Sequence, residues 1–267
     1  MFGLIGAKLG HSYSKIIHEK LKAYSYELIP LTVEELDRFL KERKFDGLNV
    51  TIPYKETVIP YCDYVSPLAQ EIGAVNTLYF DPEGRLCGTN TDYIGFLQAA
   101  AMAHITFEGK KILILGDGGT CKTILKAVLD SGAKEVIIGS RKISADKKDT
   151  FIARGQAISC TTTNYENLSL HRDVEIVINT TPIGMFPNVG GSLIDLRDFP
   201  LCSGVFDVVY NPYYTTLLKQ AKDLGIPHAN GLSMLVAQAT EAAKYFTGQD
   251  GWSTKNEQII EELRASL

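Results

Sequence analysis

The sequence has little of what marks several broad classes of protein. Its 267 residues include one Trp, four Met and five Cys, and no apolar run reaches the ~18–20 residues of a membrane span. The cysteines are odd in number, widely spaced and without a CxxC pair, so neither a disulfide framework nor a metal site is predicted. The N-terminal apolar run is too short for a signal peptide, and we expect a cytoplasmic, reduced protein.

Strong positive charge is also missing. The 27 Lys and Arg against 31 Asp and Glu leave a net charge of −4, which disfavours binding to nucleic acid or to an anionic membrane. The hydrophobic content of 45% and the charged content of 22% are ordinary for packed domains. The length allows one large or two modest domains. A small-molecule ligand is therefore the predicted partner, for a monomer or a homodimer.

Up to about residue 104, short apolar runs alternate with segments of helical periodicity. Thr32 and Glu35 form a capping-box pattern ahead of one helix, and Pro53 stands where another helix would start. A turn at 81–84 suggests a hairpin. The predicted strands are 2–6, 26–31, 46–50, 76–80 and 85–88, and the predicted helices are 14–23, 33–43 and 92–104.

A second domain begins near Lys110. Its strand 111–115 is apolar without alternation, which is typical of a central parallel strand. Strands and helices then alternate as in a doubly wound sheet. The predicted strands are 135–139, 156–160, 175–179 and 204–208, and the predicted helices are 120–131, 217–224 and 232–246. We predict a two-domain α/β fold: an N-terminal α/β domain (1–104), a Rossmann-like domain (105–230) and C-terminal helices (231–267) that pack back on the first domain.

The strand 111–115 runs into Gly116, Asp117, Gly118 and Gly119 before the helix that starts at Thr120. Glycines let a ligand approach the backbone, and a helix N-terminus offers free N–H groups to a pyrophosphate. This order of elements favours nucleotide binding over a purely structural turn. Two residues depart from the dinucleotide-binding motif GxGxxG. Cys121 occupies the position of the third glycine, and Asp117 brings a carboxylate to the phosphate site.

The end of the next strand bears on the choice of cofactor. Gly139-Ser140-Arg141-Lys142 has cations and no acid, whereas an NAD site usually has Asp or Glu there to hold the ribose hydroxyls. This pattern favours NADP. A solvated charged loop is the alternative interpretation.

Three polar clusters of the first domain each follow a predicted strand: Ser12 with Ser14, Asn49 with Thr51 and Lys55, and Asn90 with Thr91 and Asp92. Ligands of α/β sheets bind outside the carboxyl ends of strands, so these clusters can converge on a hydroxylated or carboxylated ligand. Taken singly, each also has a structural interpretation as a helix cap, a turn former or a surface cation.

The whole pattern resembles the shikimate dehydrogenase family from about residue 3 to about residue 247. The similar motifs are Gly10-His11-Ser12-Tyr13-Ser14 with His18, Asn49-Val50-Thr51-Ile52-Pro53-Tyr54-Lys55, Gly73-Ala74-Val75-Asn76-Thr77, Asn90-Thr91-Asp92 with Gly95, Asn179-Thr180-Thr181-Pro182-Ile183-Gly184-Met185, Asp207-Val208-Val209-Tyr210-Asn211-Pro212 and Gly231-Leu232-x-Met234-Leu235-Val236-x-Gln238.

The resemblance implies NADPH-dependent, reversible reduction of 3-dehydroshikimate to shikimate in aromatic amino acid biosynthesis. It implies that Lys55 and Asp92 form the catalytic pair. Substrate would be held by Ser12, Ser14, Thr51, Asn76, Tyr210 and Gln238. The cofactor NADP would be contacted by Gly116, Asp117, Gly118, Gly119, Thr120, Ser140, Arg141, Val208 and Gly231.

Two alternatives differ from this hypothesis in cofactor or in chemistry. A quinate/shikimate dehydrogenase that uses NAD would share nearly every substrate residue, and Arg141 argues against it. A catalytically silent NADP-binding sensor would not need both Lys55 and Asp92, because binding alone does not require a proton donor and its partner.

Overall fold

The computed structural model describes residues 1–10 and 12–265, which divide into two compact units. The first comprises Met1–Gly95 and Leu235–Glu262, and the second comprises Phe96–Met234 and the described residues from Leu263. The first division therefore falls at 95/96 rather than at 104/105. Phe96 explains the difference, since its ring centroid lies 5.3 Å from that of Phe107 and 4.8 Å from that of Phe206. The helix around Phe96 thus enters the core of the second unit before it ends.

The first unit is built on a mixed sheet, with strand order β2-β1-β3-β5-β6-β4 among the described residues. Strands β1, β2 and β3 are parallel, and β5 runs antiparallel to both β3 and β6. The elements are β1 (Phe2–Gly6), α1 (Ser14–Leu21), β2 (Tyr26–Pro30), α2 (Val33–Glu42), β3 (Gly47–Val50), a 3₁₀ helix (Ile59–Tyr61), β4 (Tyr64–Val65), α3 (Pro67–Ile72), β5 (Thr77–Phe80), β6 (Leu86–Thr89) and α4 (Thr91–Met102).

Local sequence signals position most of these elements. The hydroxyl of Thr32 accepts a hydrogen bond from the backbone N–H of Glu35, and the Glu35 carboxylate accepts one from the N–H of Thr32. This reciprocal pair confirms the predicted capping box of α2. The sheet then buries Ile5, Leu48 and Leu78 in one apolar core.

The helix predicted to start at Pro53 is wrong. Residues 52–58 form successive turns, followed only by the short 3₁₀ helix, and the Ile52-Pro53 peptide is cis. The carbonyl of Lys55 accepts a hydrogen bond of 2.8 Å from the N–H of Val75. This carbonyl is thus bonded to a distant segment rather than to the next helical turn, and tertiary structure overrides the local helix signal.

The second unit contains a sheet of order β13-β12-β11-β7-β8-β10-β9 within the described residues. All neighbouring pairs are parallel except β10 with β9. Without β9, this is the strand order of a dinucleotide-binding fold. The elements are β7 (Lys111–Leu115), α5 (Gly119–Asp130), β8 (Glu135–Ser140), β9 (Lys147–Ala153), β10 (Gln156–Asn164), β11 (Ile176–Asn179), β12 (Gly204–Asp207), α6 (Thr216–Asp223), β13 (His228–Asn230), α7 (Gly231–Thr247) and α8 (Asn256–Arg264), with 3₁₀ helices Tyr165–Leu170, Leu196–Asp198 and Trp252–Lys255.

One crossover of the second sheet is unusual. The connection from β8 to β10 carries the antiparallel edge strand β9 rather than a helix. The sequence predicts a solvated loop around Asp146, Lys147 and Lys148, and the last two instead begin this strand. Most β9 side chains are exposed, so the charge pattern that suggested a loop belongs to an edge strand.

The described residues also bear on the membrane and redox expectations. None of the helices in residues 1–10 and 12–265 has the length and hydropathy of a membrane span. All five cysteines are free thiols. The sequence from Trp252 to Leu267 has an amphipathic pattern, with Ile259, Ile260 and Leu263 on one side. It forms the 3₁₀ helix Trp252–Lys255 and α8, with Ile259 and Leu263 buried. Residues 266 and 267 of that stretch, and His11 of the first motif, lie outside the described residues.

Candidate active site

Sheet topology brings the polar clusters of the first unit to one edge. The carboxyl ends of β1 and β3 lie at the same edge because the strands are parallel. Strand β5 is antiparallel to β3, so its first residue, Thr77, lies opposite Asn49 near the end of β3. Strand β6 ends at this edge too, since Thr89 pairs with Thr77. The segments that carry Ser12, Thr51 and Asp92 therefore all leave the sheet at this edge.

The reactive pair at this edge is Lys55 with Asp92. The Lys55 Nζ donates a hydrogen bond of 2.6 Å to Asp92 Oδ2. Both side chains are mostly buried yet retain access to solvent, with 20% of Lys55 and 14% of Asp92 exposed. Asp92 lies in the first turn of α4, where a carboxylate is favoured by the helix dipole. An ammonium group held in this way has N–H bonds left for a ligand oxygen.

Asn76 is fixed beside this pair by the start of α4. Its Oδ1 accepts hydrogen bonds from the backbone N–H of Thr91 at 2.7 Å and from the hydroxyl of Thr77 at 3.0 Å. Its Nδ2 donates to the hydroxyl of Thr91 at 3.1 Å. The carbonyl side of the amide is thus fully used by the protein, and one N–H remains. Asn76 can therefore act toward a ligand as a donor.

Behind Asn76 lies a second layer of polar groups that includes Asn49 of the predicted clusters, and the sequence did not specify its bonding partners. Asn49 Nδ2 donates to the hydroxyl of Thr77 at 3.1 Å, and Asn49 Oδ1 accepts from the hydroxyl of Tyr26 at 2.7 Å. The ring of His18 stacks on Tyr26 with centroids 3.9 Å apart. Burial lowers the pKa of His18 to about 3. This layer is buried, and it reaches the Asn76 side chain through the hydroxyl of Thr77.

The other predicted substrate residues of the first unit occupy separate positions. Ser12 and Ser14 meet at the start of α1, where the Ser14 N–H donates to the Ser12 hydroxyl at 3.3 Å. Thr51 directly follows β3. Gln238 is buried on α7, and its Nε2 donates to the carbonyl of Leu235 at 2.9 Å. The contacts therefore join Lys55 to Asp92, and join Asn76 to Thr91, the residue before Asp92. The other four residues belong to the same unit.

In the second unit the glycine loop leaves its backbone open. Gly116 has φ +103°, and a Cβ there would lie 2.7 Å from the hydroxyl of Thr180. Apart from the glycine's own chain neighbours and the backbone of α5, no atom of residues 1–10 and 12–265 lies within 4 Å of a Cβ added at Gly118 or Gly119, which leaves space for a ligand. Gly118 caps α5 without a side-chain hydrogen bond. The first N–H groups of α5, through Thr120, are thus free for an anion.

A cluster of charged groups lies next to this loop. The Ser140 hydroxyl donates to Asp117 Oδ2 at 2.8 Å, and Lys142 Nζ lies 3.0 Å from Asp117 Oδ1. Burial opposes ionisation of Asp117, but the hydrogen bonds from Lys142 and Ser140 outweigh burial and lower its pKa. Arg141 is exposed. Of the two adjacent cations, Lys142 is therefore the one neutralised by a carboxylate.

The remaining predicted residues follow strands of the second sheet. Val208 and Tyr210 follow β12, and Gly231 opens α7. An added Cβ on Gly231 would lie 1.9 Å from the carbonyl oxygen of Val208, which only glycine avoids. The N–H of Gly231 donates to the carbonyl of Val209 at 3.1 Å. Gly231 therefore has a structural reason to be glycine, whatever it binds.

Sequence reasoning gave no individual role to two buried polar residues at the ends of β11 and β12. Asp207 accepts hydrogen bonds from Thr215 Oγ1 at 2.6 Å, from Asn179 Nδ2 at 2.9 Å and from the N–H of Val209 at 3.1 Å. Burial raises the pKa of Asp207 to about 6, against these opposing hydrogen bonds. The sequence signal that could have found Asn179 and Asp207 is a polar residue at the end of an apolar strand. These bonds hold the loops that follow both strands.

Comparison with known proteins identifies the family. Residues 4–78 match the model of the shikimate dehydrogenase substrate binding domain. A shikimate dehydrogenase (NADP(+)) from Clostridium perfringens is 36% identical over 272 residues, covering 99% of this chain and 98% of the relative. The chain belongs to the shikimate dehydrogenase family.

Solved structures of shikimate dehydrogenases agree with this assignment. Shikimate dehydrogenase 1 from Peptoclostridium difficile is 33% identical, with a TM-score of 0.84 over 99% of this chain and 98% of that one. A shikimate 5-dehydrogenase from Thermus thermophilus, solved in complex with NADP(H) and shikimate, is 31% identical, with a TM-score of 0.79 over 98% of each chain. The predicted family and the two-domain α/β fold class are therefore confirmed.

Proposed function

We propose that this protein is an NADP-dependent shikimate dehydrogenase that reduces 3-dehydroshikimate to shikimate, reversibly, in the biosynthesis of aromatic amino acids. The observation that carries the proposal is the Lys55–Asp92 pair, whose atoms lie 2.6 Å apart beside the fixed amide of Asn76. Membership of the family and the NADP-dependent relatives support the choice of substrate and cofactor.

The chemistry requires a proton donor at the ketone oxygen. Reduction of a ketone places a hydride on carbon, negative charge develops on oxygen, and a proton completes the alcohol. The ammonium of Lys55 stabilises that charge and donates the proton, after which the amine regains a proton from solvent. Asp92 is proposed to hold the ammonium in position. In the oxidative direction the neutral amine of Lys55 takes up the hydroxyl proton.

The remaining polar side chains of the first unit are proposed to bind the substrate. Asn76 presents an N–H to a substrate hydroxyl because its carbonyl is already occupied. Thr51 and Gln238 add further polar groups, and the hydroxyls of Ser12 and Ser14 suit a carboxylate acceptor. Tyr210 is proposed to bind the substrate as well, as the resemblance implies. These roles depend on the resemblance and stay proposals.

The second unit is proposed to hold NADP, and its residues fit that cofactor. The open space over Gly118 and Gly119 and the uncapped start of α5 suit a pyrophosphate. Ser140 and Arg141, at the end of β8, would hold the adenosine ribose and its 2′-phosphate. Val208 and Gly231 are proposed to contact the nicotinamide half. When bound, NADPH supplies the hydride.

A cofactor and substrate matrix tests the proposal. The purified protein is offered shikimate or quinate, each with NADP or NAD, and formation of reduced nicotinamide is followed by absorbance. We expect strong reduction with shikimate and NADP. Preference for quinate or NAD would favour the quinate/shikimate dehydrogenase alternative. Absence of turnover with every pair, despite NADPH binding, would favour the silent sensor.

Location and assembly stay predictions. We propose a cytoplasmic protein that acts as a monomer or a homodimer. Cell fractionation with an antibody and sedimentation of the purified protein would test the two statements separately. Recovery with the membrane fraction would contradict the first, and a larger assembly would contradict the second.

A further inference from the structure

The glycine loop carries a charge in the place least suited to a phosphate. Asp117 lies between Gly116 and Gly118, in the loop whose backbone N–H groups are proposed to bind the pyrophosphate. Its side chain is 31% exposed, so its charge is only partly screened by solvent. A carboxylate beside a phosphate site repels the ligand unless a cation or a hydrogen-bond donor compensates it.

The groups that compensate the charge of Asp117 are Ser140 and Lys142, which are also groups that could bind the 2′-phosphate of the cofactor. Both carboxylate oxygens of Asp117 are engaged, Oδ2 by the Ser140 hydroxyl at 2.8 Å and Oδ1 by Lys142 Nζ at 3.0 Å. The backbone N–H of Lys142 also donates to the Ser140 hydroxyl at 3.1 Å, which ties the start of the 141–142 segment to the loop. Arg141 remains as the exposed cation next to Ser140.

The position of Asp117 also suits a ribose without a phosphate. In dinucleotide-binding folds, an acid near the end of the second strand accepts hydrogen bonds from the ribose hydroxyls. Here Ser140 ends the corresponding strand, β8, and the carboxylate that reaches it comes from the preceding glycine loop. The chain thus has an acid near the ribose position although its β8 terminus has none.

We propose that Asp117 is a specificity-determining residue that competes with the adenosine 2′-phosphate for Ser140 and Lys142 and so narrows the preference for NADP over NAD. The inference rests on the proposed function, since it assumes that this loop binds the cofactor. An exposed ion pair is worth little by itself, so release of Lys142 costs little. Repulsion between the carboxylate and the 2′-phosphate is the larger effect, and it weakens as salt rises.

The test measures binding of two half-cofactors to the full-length protein by calorimetry. The ligand 2′,5′-ADP carries the 2′-phosphate and 5′-AMP lacks it, so their affinity ratio reports on this contact without turnover. We expect Asp117→Asn, which keeps an acceptor for Ser140, to raise the ratio about tenfold at low salt, which corresponds to about 1.4 kcal/mol. Asp117→Ala should act in the same direction. The increase should shrink at high salt.

Two further variants test whether the Asp117–Lys142 pair causes the change in the affinity ratio. Lys142→Ala should change the 2′,5′-ADP affinity less than about twofold when Asp117 is present and several-fold more in the Asp117→Asn background. Asp173→Asn is the matched control, because Asp173 pairs with Lys111 just before β11 and lies at the opposite end of the sheet. It should leave the ratio unchanged.

The outcomes separate this inference from the proposed function. If both Asp117 variants fold and keep the wild-type ratio within twofold, Asp117 does not set specificity, even though the enzyme turns over shikimate with NADP. If the wild-type protein binds neither half-cofactor nor NADPH, the proposed function fails and this inference fails with it. A higher ratio in both variants supports the inference.

Discussion

The two units place polar groups in opposite ways. In the first unit, Asn76, Thr77 and Thr91 are buried and hydrogen-bond one another, while Lys55 keeps part of its side chain exposed. In the second unit, the glycine loop presents bare backbone with nothing above Gly118 and Gly119. The difference reflects two kinds of recognition. Hydroxyls of defined position need fixed side chains, whereas a phosphate needs open N–H groups and charge.

The largest expected effect concerns the side-chain site of the first unit. Lys55→Ala removes the proposed proton donor and should lower turnover about 10²–10⁴-fold. The substrate KM should change little, since other residues are proposed to bind the substrate. Steady-state kinetics at saturating NADP and shikimate measures both. Lys44→Ala is the control, because Lys44 is 80% exposed and pairs only with Glu42 among the described ion pairs. Near-normal turnover of Lys55→Ala would exclude Lys55 as the donor.

The second prediction concerns two glycines of the proposed cofactor site, Gly231 and Gly119. It distinguishes a glycine that the fold requires from one that it does not. Gly231→Ala would place a Cβ 1.9 Å from the Val208 carbonyl oxygen, so the backbone must move. We expect the free energy of unfolding to fall by about 3 kcal/mol or more, measured by urea titration. Gly119→Ala meets no atom within 4 Å and should keep its stability within about 0.5 kcal/mol while weakening NADPH binding. Equal losses of stability in both variants would contradict the distinction.

The third effect concerns the buried layer behind the substrate site. The pKa of His18 is about 3 in the folded protein because burial disfavours its charged form, against an ordinary value of 6.5. Between these values the unfolded chain binds a proton that the folded chain does not. Stability should therefore fall as pH falls below 6.5, by up to about 5 kcal/mol at the acid limit.

The variant His18→Gln should remove that part of the pH dependence. Urea titrations of both proteins at a series of pH values measure the slope. The control is His104→Gln, since His104 is an exposed residue in the turn that follows α4. A wild-type slope in His18→Gln would contradict the assignment to His18.

The fourth effect has the opposite sign and lies in the second unit. The pKa of Asp207 is raised to about 6 because it is buried, against an ordinary value of 3.8. Between these values the folded chain binds the proton, so this contribution to stability is complete below about pH 3.8 and is lost as pH rises through about 6, by about 3 kcal/mol. Asp207→Asn should remove the decline. If the variant still loses stability over this range as the wild type does, another group is responsible.

Much of the fold could be predicted because local signals and tertiary structure agree. The strand 111–115, the capping box at Thr32 and the hairpin around 81–84 all appear in the structure. Strand β9 was missed because exposed side chains on an edge strand do not alternate as half-buried ones do. The turns at 52–58 were missed because a hydrogen bond from Val75 decides their course.

In the candidate site too, some features could be predicted from the sequence and others depend on tertiary structure. The residue types at the strand ends and the glycine loop were visible in the sequence, and so was the odd carboxylate of Asp117. Most partners of Asp117, Asn76 and Asp207 were not, because Ser140, Thr91, Asn179 and Thr215 lie 8 to 28 residues away from them along the chain. A hydrogen bond between distant segments depends on strand register and loop path, which no local pattern specifies.

The sequence by itself determined the fold class, most of the strands and helices and the family, because hydrophobic periodicity, glycine positions and motif order are local properties of the chain. Only the tertiary structure decided that Lys55 reaches Asp92, that Asn76 can act toward a ligand only as a donor, and that Lys142 is paired with Asp117. These properties depend on distances of a few ångströms between remote segments, and packing of the whole sheet sets such distances.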